Sequence, residues 1–164
     1  MIRGIAVLVL LFGLVALVFG GVFLGLGVAK NNQLVTAMHQ EQVKLSLEEN
    51  APPTLIDNMS KAQAAGDLIR EHRRGIAPTY QDLLGGGRYD PTNPKHLTYS
   101  QALNMENYLY LAVVGFGLIQ SVIASGVFMV VTGLALGGTG VALYRLSGRL
   151  TSSSYAKESS NETR

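Results

Sequence analysis

The chain has 164 residues, is 48% hydrophobic, carries a formal net charge of +2, and contains neither cysteine nor tryptophan. That length leaves room for one small unit, and the missing cysteine excludes disulfides, zinc–thiolate centres and thiolate-held iron–sulfur groups. Residues 30–107 hold eight Lys/Arg against nine Asp/Glu with no basic stripe, which excludes nucleic acid as a partner.

Charge is absent from two long stretches, Gly4 to Ala29 and Asn107 to Tyr144. A bilayer core takes about 20 apolar residues as helix, so each stretch is long enough to span one. The first is far longer than the roughly 7–15 residues of a secretory h-region, and reads as a retained anchor. Residues 1–29 are therefore the first span. No Pro or Gly follows until Pro52, and Leu34, Val35, Met38, Val43 and Leu45 keep a thin apolar stripe. The expectation is one unbroken helix from about residue 3 to Glu49, leaving the membrane as a stalk and stopped by Pro52 and Pro53.

A second helix is expected from Thr54 or Asp57 to Gly75, with Ile56, Met59, Ala62, Ala65, Ile69 and His72 at helical spacing. A short helix follows in APTYQDLL, with Pro78 in its first turn. Residues 85–97 form an ordered loop rich in Gly, Pro and Asp/Asn turn formers. The last outer helix is expected to start at Thr98, capped through Gln101, and to run into the second span. That span, 107–146, is too long: Tyr108 to Tyr144 is about 54 Å of helix against roughly 40–45 Å of bilayer. Either tilt or entry of the Gly133–Gly140 end into another protein would absorb the excess. Residues 147–164, polar and low in apolar content, read as a disordered cytoplasmic tail.

Small residues recur every seven positions, at Ala6, Gly13, Gly20 and Gly27 in the first span and at Gly126, Gly133 and Gly140 in the second. A seven-residue repeat keeps one face on a partner helix, and small residues let membrane helices approach closely. The six glycines are the candidate helix-packing residues, within one chain or between subunits. Arg3 at one end and Arg145 with Arg149 at the other mark both termini as cytoplasmic, with residues 30–106 an extracytoplasmic helical domain.

Chemistry-bearing constellations are sparse. His39, His72 and His96 lack the H-x₃-H or H-E-x-x-H spacing of a metal site, and no serine sits in a nucleophile motif, so no catalytic, cofactor or metal residue is nominated. Gln120, Ser121, Ser125, Thr132 and Thr139 are the polar groups of the second span. The densest external charge is Arg70, Glu71, Arg73 and Arg74, a candidate docking surface.

Within Ala64 to Leu84, the run Ile69-Arg70-Glu71-His72, followed by Thr79-Tyr80 and Leu83 and preceded by Ala64 or Ala65, carries a resemblance. It is similar to a group of small two-span membrane proteins common in actinobacteria, which share an I-R-E-H … T-Y-x-x-L segment between two spans. The resemblance covers some twenty residues and the topology, and departs in the GGGRYDPTNPKHLTYSQ insertion. It implies a bacterial envelope location and no assigned activity.

The expectation is an all-α protein of the plasma membrane: two antiparallel transmembrane helices extended into an extracytoplasmic stalk and cap. Its partners are the bilayer and other membrane subunits or further copies of itself. It reads as a non-catalytic structural or accessory subunit of a larger membrane complex, needing no cofactor. The alternative is a homo-oligomeric channel or pore.

Overall fold

The computed structural model describes residues 2–47 and 51–162, with side-chain surroundings described for residues 3–47 and 51–148. The elements in order are α1 (Ile2–Gln40), β1 (Lys44–Leu45), β2 (Thr54–Leu55), α2 (Met59–Ile76), α3 (Tyr80–Leu84) and α4 (Pro94–Glu162). The fold is all-α but for one two-residue antiparallel ladder, pairing Lys44 with Leu55 and Leu45 with Thr54. Both α1 and α4 are long and apolar enough to cross a membrane, with windows of mean hydropathy 2.9 and 2.0. The chain divides into two compact units, one of residues 1–28 with 121–164 and the other of residues 29–120.

In the first unit α1 and α4 pack antiparallel. Leu10, Leu17 and Leu24 sit against Gly140, Gly133 and Gly126, so each step of seven up α1 matches a step of seven down α4. Ala6, on the same repeat, is fully buried. The Arg3 guanidinium lies 5.9 Å from the centre of the Tyr144 ring. The outward faces carry large apolar side chains, among them Leu8, Phe12, Phe19, Phe128, Val131 and Leu134, all more than half exposed.

The second unit closes around Met38, Ile56, Ala62, Ala65, Leu109 and Phe116, with Leu34 and Val113 packed against them. A smaller cluster gathers Ala77, Leu83 and Tyr99. Thus the first third of the uncharged stretch of α4, up to Gln120, belongs to this core, and Ser121 onward to the first unit. The length expected to need tilt, or entry of the glycine-rich end into another protein, includes helix that Leu109 and Phe116 contribute to the core of the second unit.

Four expected boundaries are corrected. The first helix ends at Gln40 and does not reach Glu49, which lies outside the described residues. Gln42 takes a left-handed conformation, φ 50°, and its amide Nε2 donates to the His39 carbonyl at 2.8 Å. Beyond it Val43, Leu45 and Leu47 alternate, a strand period, and the Ile56 N–H donates to the Val43 carbonyl at 2.9 Å. α2 begins after Asn58, whose Oδ1 accepts from the Lys61 N–H, and passes Gly75 to end at Ile76. Its stop is Pro78, which pushes the preceding Ala77 into extended backbone (φ −155°, ψ 136°). α4 begins four residues before Thr98, because Asn93 accepts from the Lys95 N–H at 2.9 Å and Pro94 suits a first helical position. The segment expected to be a disordered tail is helical as far as Glu162; no Gly or Pro follows Gly148 to stop it.

α3 matches its expected place. Thr79 and Asp82 form a reciprocal capping box, and Gly85 (φ 56°) closes the helix in the left-handed region. The loop after it is tied down locally. The Asp90 N–H donates to His96 Nδ1 at 3.0 Å, the Tyr89 ring stacks on the His96 imidazole, and the Asp90 carboxylate accepts from Thr92.

Candidate functional site

All six glycines singled out by the seven-residue register lie at the α1–α4 contact of the first unit. A methyl group on Gly20 would lie 2.9 Å from the Gly126 carbonyl oxygen and from the Val130 backbone nitrogen. On Gly13 it would meet the Gly137 nitrogen at 2.8 Å, and on Gly133 the Gly13 carbonyl oxygen at 2.8 Å. Gly27 faces Ile123, and Gly140 faces Leu10. A methyl group has no room at these positions, so the two backbones lie this close only because no side chain intervenes. Gly21 and Gly25, in the same helix, have open space where a methyl group would go.

In the second unit the charge cluster on α2 splits. Arg73 turns inward and is 8% exposed; its Nε donates to Glu106 Oε2 at 2.6 Å and its Nη1 to the Tyr99 hydroxyl at 2.5 Å. The hydrogen bond to Glu106 holds the guanidinium proton above its ordinary pKa. Arg73 is therefore withdrawn from the candidate docking surface: a buried carboxylate on α4 claims it. Arg70, Glu71 and Arg74 remain outside, around a surface depression of about 450 Å³ with Asp67 and Leu47. Arg70 is itself engaged, donating to Asp67 Oδ1 at 2.6 Å. The Tyr110 hydroxyl donates to the same oxygen at 2.7 Å. That bond first, and then the Gln63 amide, lower the Asp67 pKa below its ordinary 3.8. Gly66, which sequence reading passed over, lets the Tyr110 ring in: a methyl group there would sit 3.1 Å from its Cε1.

The histidines do not converge. His39 lies 3.8 Å from Asp57, His72 is exposed on α2, and His96 holds the loop backbone. Among the described residues no group of three or more His, Asp or Glu could hold a metal ion. Of the polar residues in the second uncharged stretch, Gln120 belongs to the second unit and lines a shallow depression with Asn58, Ser60 and Gln63. Ser125 and Thr139 donate to the carbonyls of Ser121 and Ala135, one turn back in their own helix.

The feature best suited to holding a ligand is a groove of about 610 Å³ in the second unit. One wall is a single face of α4, Gln101, Asn104, Met105, Tyr108 and Leu109, at spacings of three and four. The other wall comes from Met38 and the chain that leaves α1, through Gln42, Val43, Lys44 and Leu45. Ile56 and Ala65, both fully buried, are its floor. Its size lies within the range of small-molecule sites, and the lining is mainly apolar with a few amides and one cation. Sequence reading missed it, because it exists only where the chain breaks from helix into the β1–β2 ladder. No family model matches the chain, and neither curated proteins nor solved structures give a match.

Proposed function

We propose that the chain is a non-catalytic membrane protein with two spans, both termini cytoplasmic and residues 30–106 outside, serving as an accessory subunit that binds a partner or ligand through its outer domain. One observation carries this reading. The α1–α4 pair of the first unit turns the six glycines of the seven-residue register inward and most of its Val and Phe side chains, with Leu8, Leu11, Leu14 and Leu134, outward, over an uncharged stretch. Such a largely apolar exterior is unfavourable in water and suited to lipid, while the close backbone contact supplies association that lipid does not oppose. The 25 residues from Gly4 to Val28 and the 25 from Ser121 to Arg145 are about 37 Å of helix each, enough to cross a bilayer core.

A pore would need a polar stripe along its lumen. Ser125 and Thr139 donate their hydroxyls to their own helix, and Gln120 lies with Asn58, Ser60 and Gln63, so three of the five polar groups that a lumen would draw on are engaged elsewhere, which favours the accessory reading. The groove favours binding over turnover, since its polar lining is three amides, a lysine and a tyrosine, with no carboxylate or histidine among them. The resemblance over residues 64–84 points to the same location, a bacterial envelope. The test is extraction of the membrane fraction at alkaline pH. Retention with the lipid is expected, and release into the soluble fraction would sink the proposal.

A further inference from the structure

We infer that the groove of the second unit binds a single-chain anionic amphiphile, a linear acyl chain ending in a carboxylate. This rests on the membrane reading above, which would put the groove on a lipid-associated protein. Shape comes first. The α4 wall runs from Gln101 to Leu109, about 12 Å of helix, so the groove is elongated along that face. A volume near 610 Å³ stretched along one helix face suits a flexible chain better than a compact ring system.

Polarity then orients the occupant. On α4 the two amides, Gln101 and Asn104, stand at one end, and Leu109 with the phenol of Tyr108 at the other. α1 and α4 run antiparallel in this unit, with Leu34 beside Gly115 and Met38 in the cluster of Leu109. The chain leaving α1 turns at Gln42, where φ is 50°, and adds Gln42 and Lys44 to the lining. Lys44 is the one charged residue in the lining, and no carboxylate lines the groove. The Gln101 and Asn104 amides and the Lys44 ammonium complement a carboxylate head, while the Gln42 amide already donates to the His39 carbonyl. The apolar walls of Met38, Met105 and Leu109 complement its tail, and two methionines accommodate a chain of variable conformation.

The test uses the full chain in nanodiscs of zwitterionic phosphatidylcholine, with a hexadecanoic acid carrying a mid-chain diazirine. After irradiation and peptide mapping, adducts are expected at Met38, Met105 or Tyr108, and unlabelled hexadecanoate should compete them away. Lys44→Gln should weaken labelling about three- to fivefold, the scale of an exposed ion pair. The alcohol with the same diazirine should be weaker by a similar factor. Met105→Trp, at a half-exposed position, fills the groove without disturbing the core and should abolish the adducts. Adducts confined to the outward faces of α1 and α4, or equal labelling by acid and alcohol, would overturn the assignment. So would efficient disulfide dimerisation of Met105→Cys in this cysteine-free chain, which would make a second copy the occupant. A chain that does not enter the nanodisc refutes the membrane reading itself, whereas an inserted but unlabelled chain refutes only the amphiphile.

Discussion

Arg73 shows how one buried residue decides the reading of a whole segment. In sequence it is one of four charges in the five residues 70–74, and nothing local separates it from Arg70 or Arg74. Its partner Glu106 is 33 positions away, and both side chains are about nine-tenths buried. Removing one member of a buried pair strands the other, which typically costs about 3–5 kcal/mol, while replacing both with apolar groups is often nearly neutral. Arg73→Ala or Glu106→Ala should therefore lower the stability of the reconstituted protein by about that much, and Arg73→Met with Glu106→Leu should recover most of it. Thermal unfolding followed by circular dichroism at fixed lipid content measures this; a double-variant loss equal to the sum of the single losses would show that the pair is not a coupled unit. Asp67 gives a pH dependence. Its folded pKa is depressed, chiefly by the Tyr110 hydroxyl, so its contribution is complete above the ordinary 3.8 and is lost as pH falls through the lower folded value. Asp57 and Asp90 are lowered too, by Lys61 and Thr92 respectively, so the outer domain should weaken in the same acid window. Asp67→Asn should flatten the slope of stability against pH below about 3.8, and an unchanged slope would remove Asp67 from the account.

At the scale of elements, the contrast between Gly20 and Gly21 gives an internal control. They are neighbours in one helix, yet a methyl group on Gly20 would strike the backbone of α4 and one on Gly21 would meet open space. Gly20→Ala or Gly126→Ala should cost about 1–3 kcal/mol through overpacking. Gly21→Ala should be neutral or stabilising by up to about 1 kcal/mol, since Ala is the better helix former. Thermal stability of the three variants in one lipid checks this, and equal behaviour at positions 20 and 21 would make the close contact irrelevant to stability. Thr79→Ala should cost about 1 kcal/mol by opening the capping box of α3, a loss that amide exchange in residues 79–85 would detect. These elements differ in how far sequence discloses them. The glycine register was legible because a seven-residue repeat survives along a straight helix. The end of α1 was not, because Val43, Leu45 and Leu47 fit a strand period while Leu34, Met38 and Leu45 fit a helical one, and so short a window does not separate the two. The ladder wins because Ile56 is fully buried and its N–H needs the Val43 carbonyl. The excess length of the second uncharged stretch was visible, but its explanation was not, since an apolar helix face looks the same whether lipid or Met38 and Ile56 cover it.

For the whole molecule, the decisive question is which side of a membrane each unit occupies. The proposed topology rests on a short list of charges. Arg3 flanks the first uncharged stretch, and Arg145 and Arg149 follow the second, while the domain between them is near neutral. Lys and Arg in short flanks are retained on the cytoplasmic side, and a domain of this size is translocated largely regardless of its charge. The absence of cysteine makes the test direct. Ser60, in the first turn of α2, and Ser153, beyond the second stretch, are each replaced by cysteine in separate variants. An impermeant maleimide added to intact cells should label position 60 and leave position 153 untouched until the membrane is opened. The reverse pattern would invert the topology and place the groove in the cytoplasm. Labelling of both in intact cells would mean that only one of α1 and α4 crosses, and the two-span reading would fall. Reversing the flank charge supplies a second measurement. Arg145→Glu with Arg149→Glu should raise labelling at position 153 in a fraction of molecules, because the retained end would have lost the two cations nearest the uncharged stretch, keeping Lys157 and Arg164. No change in that variant would mean that the amino-terminal span alone fixes the orientation, with Arg3 as its determinant.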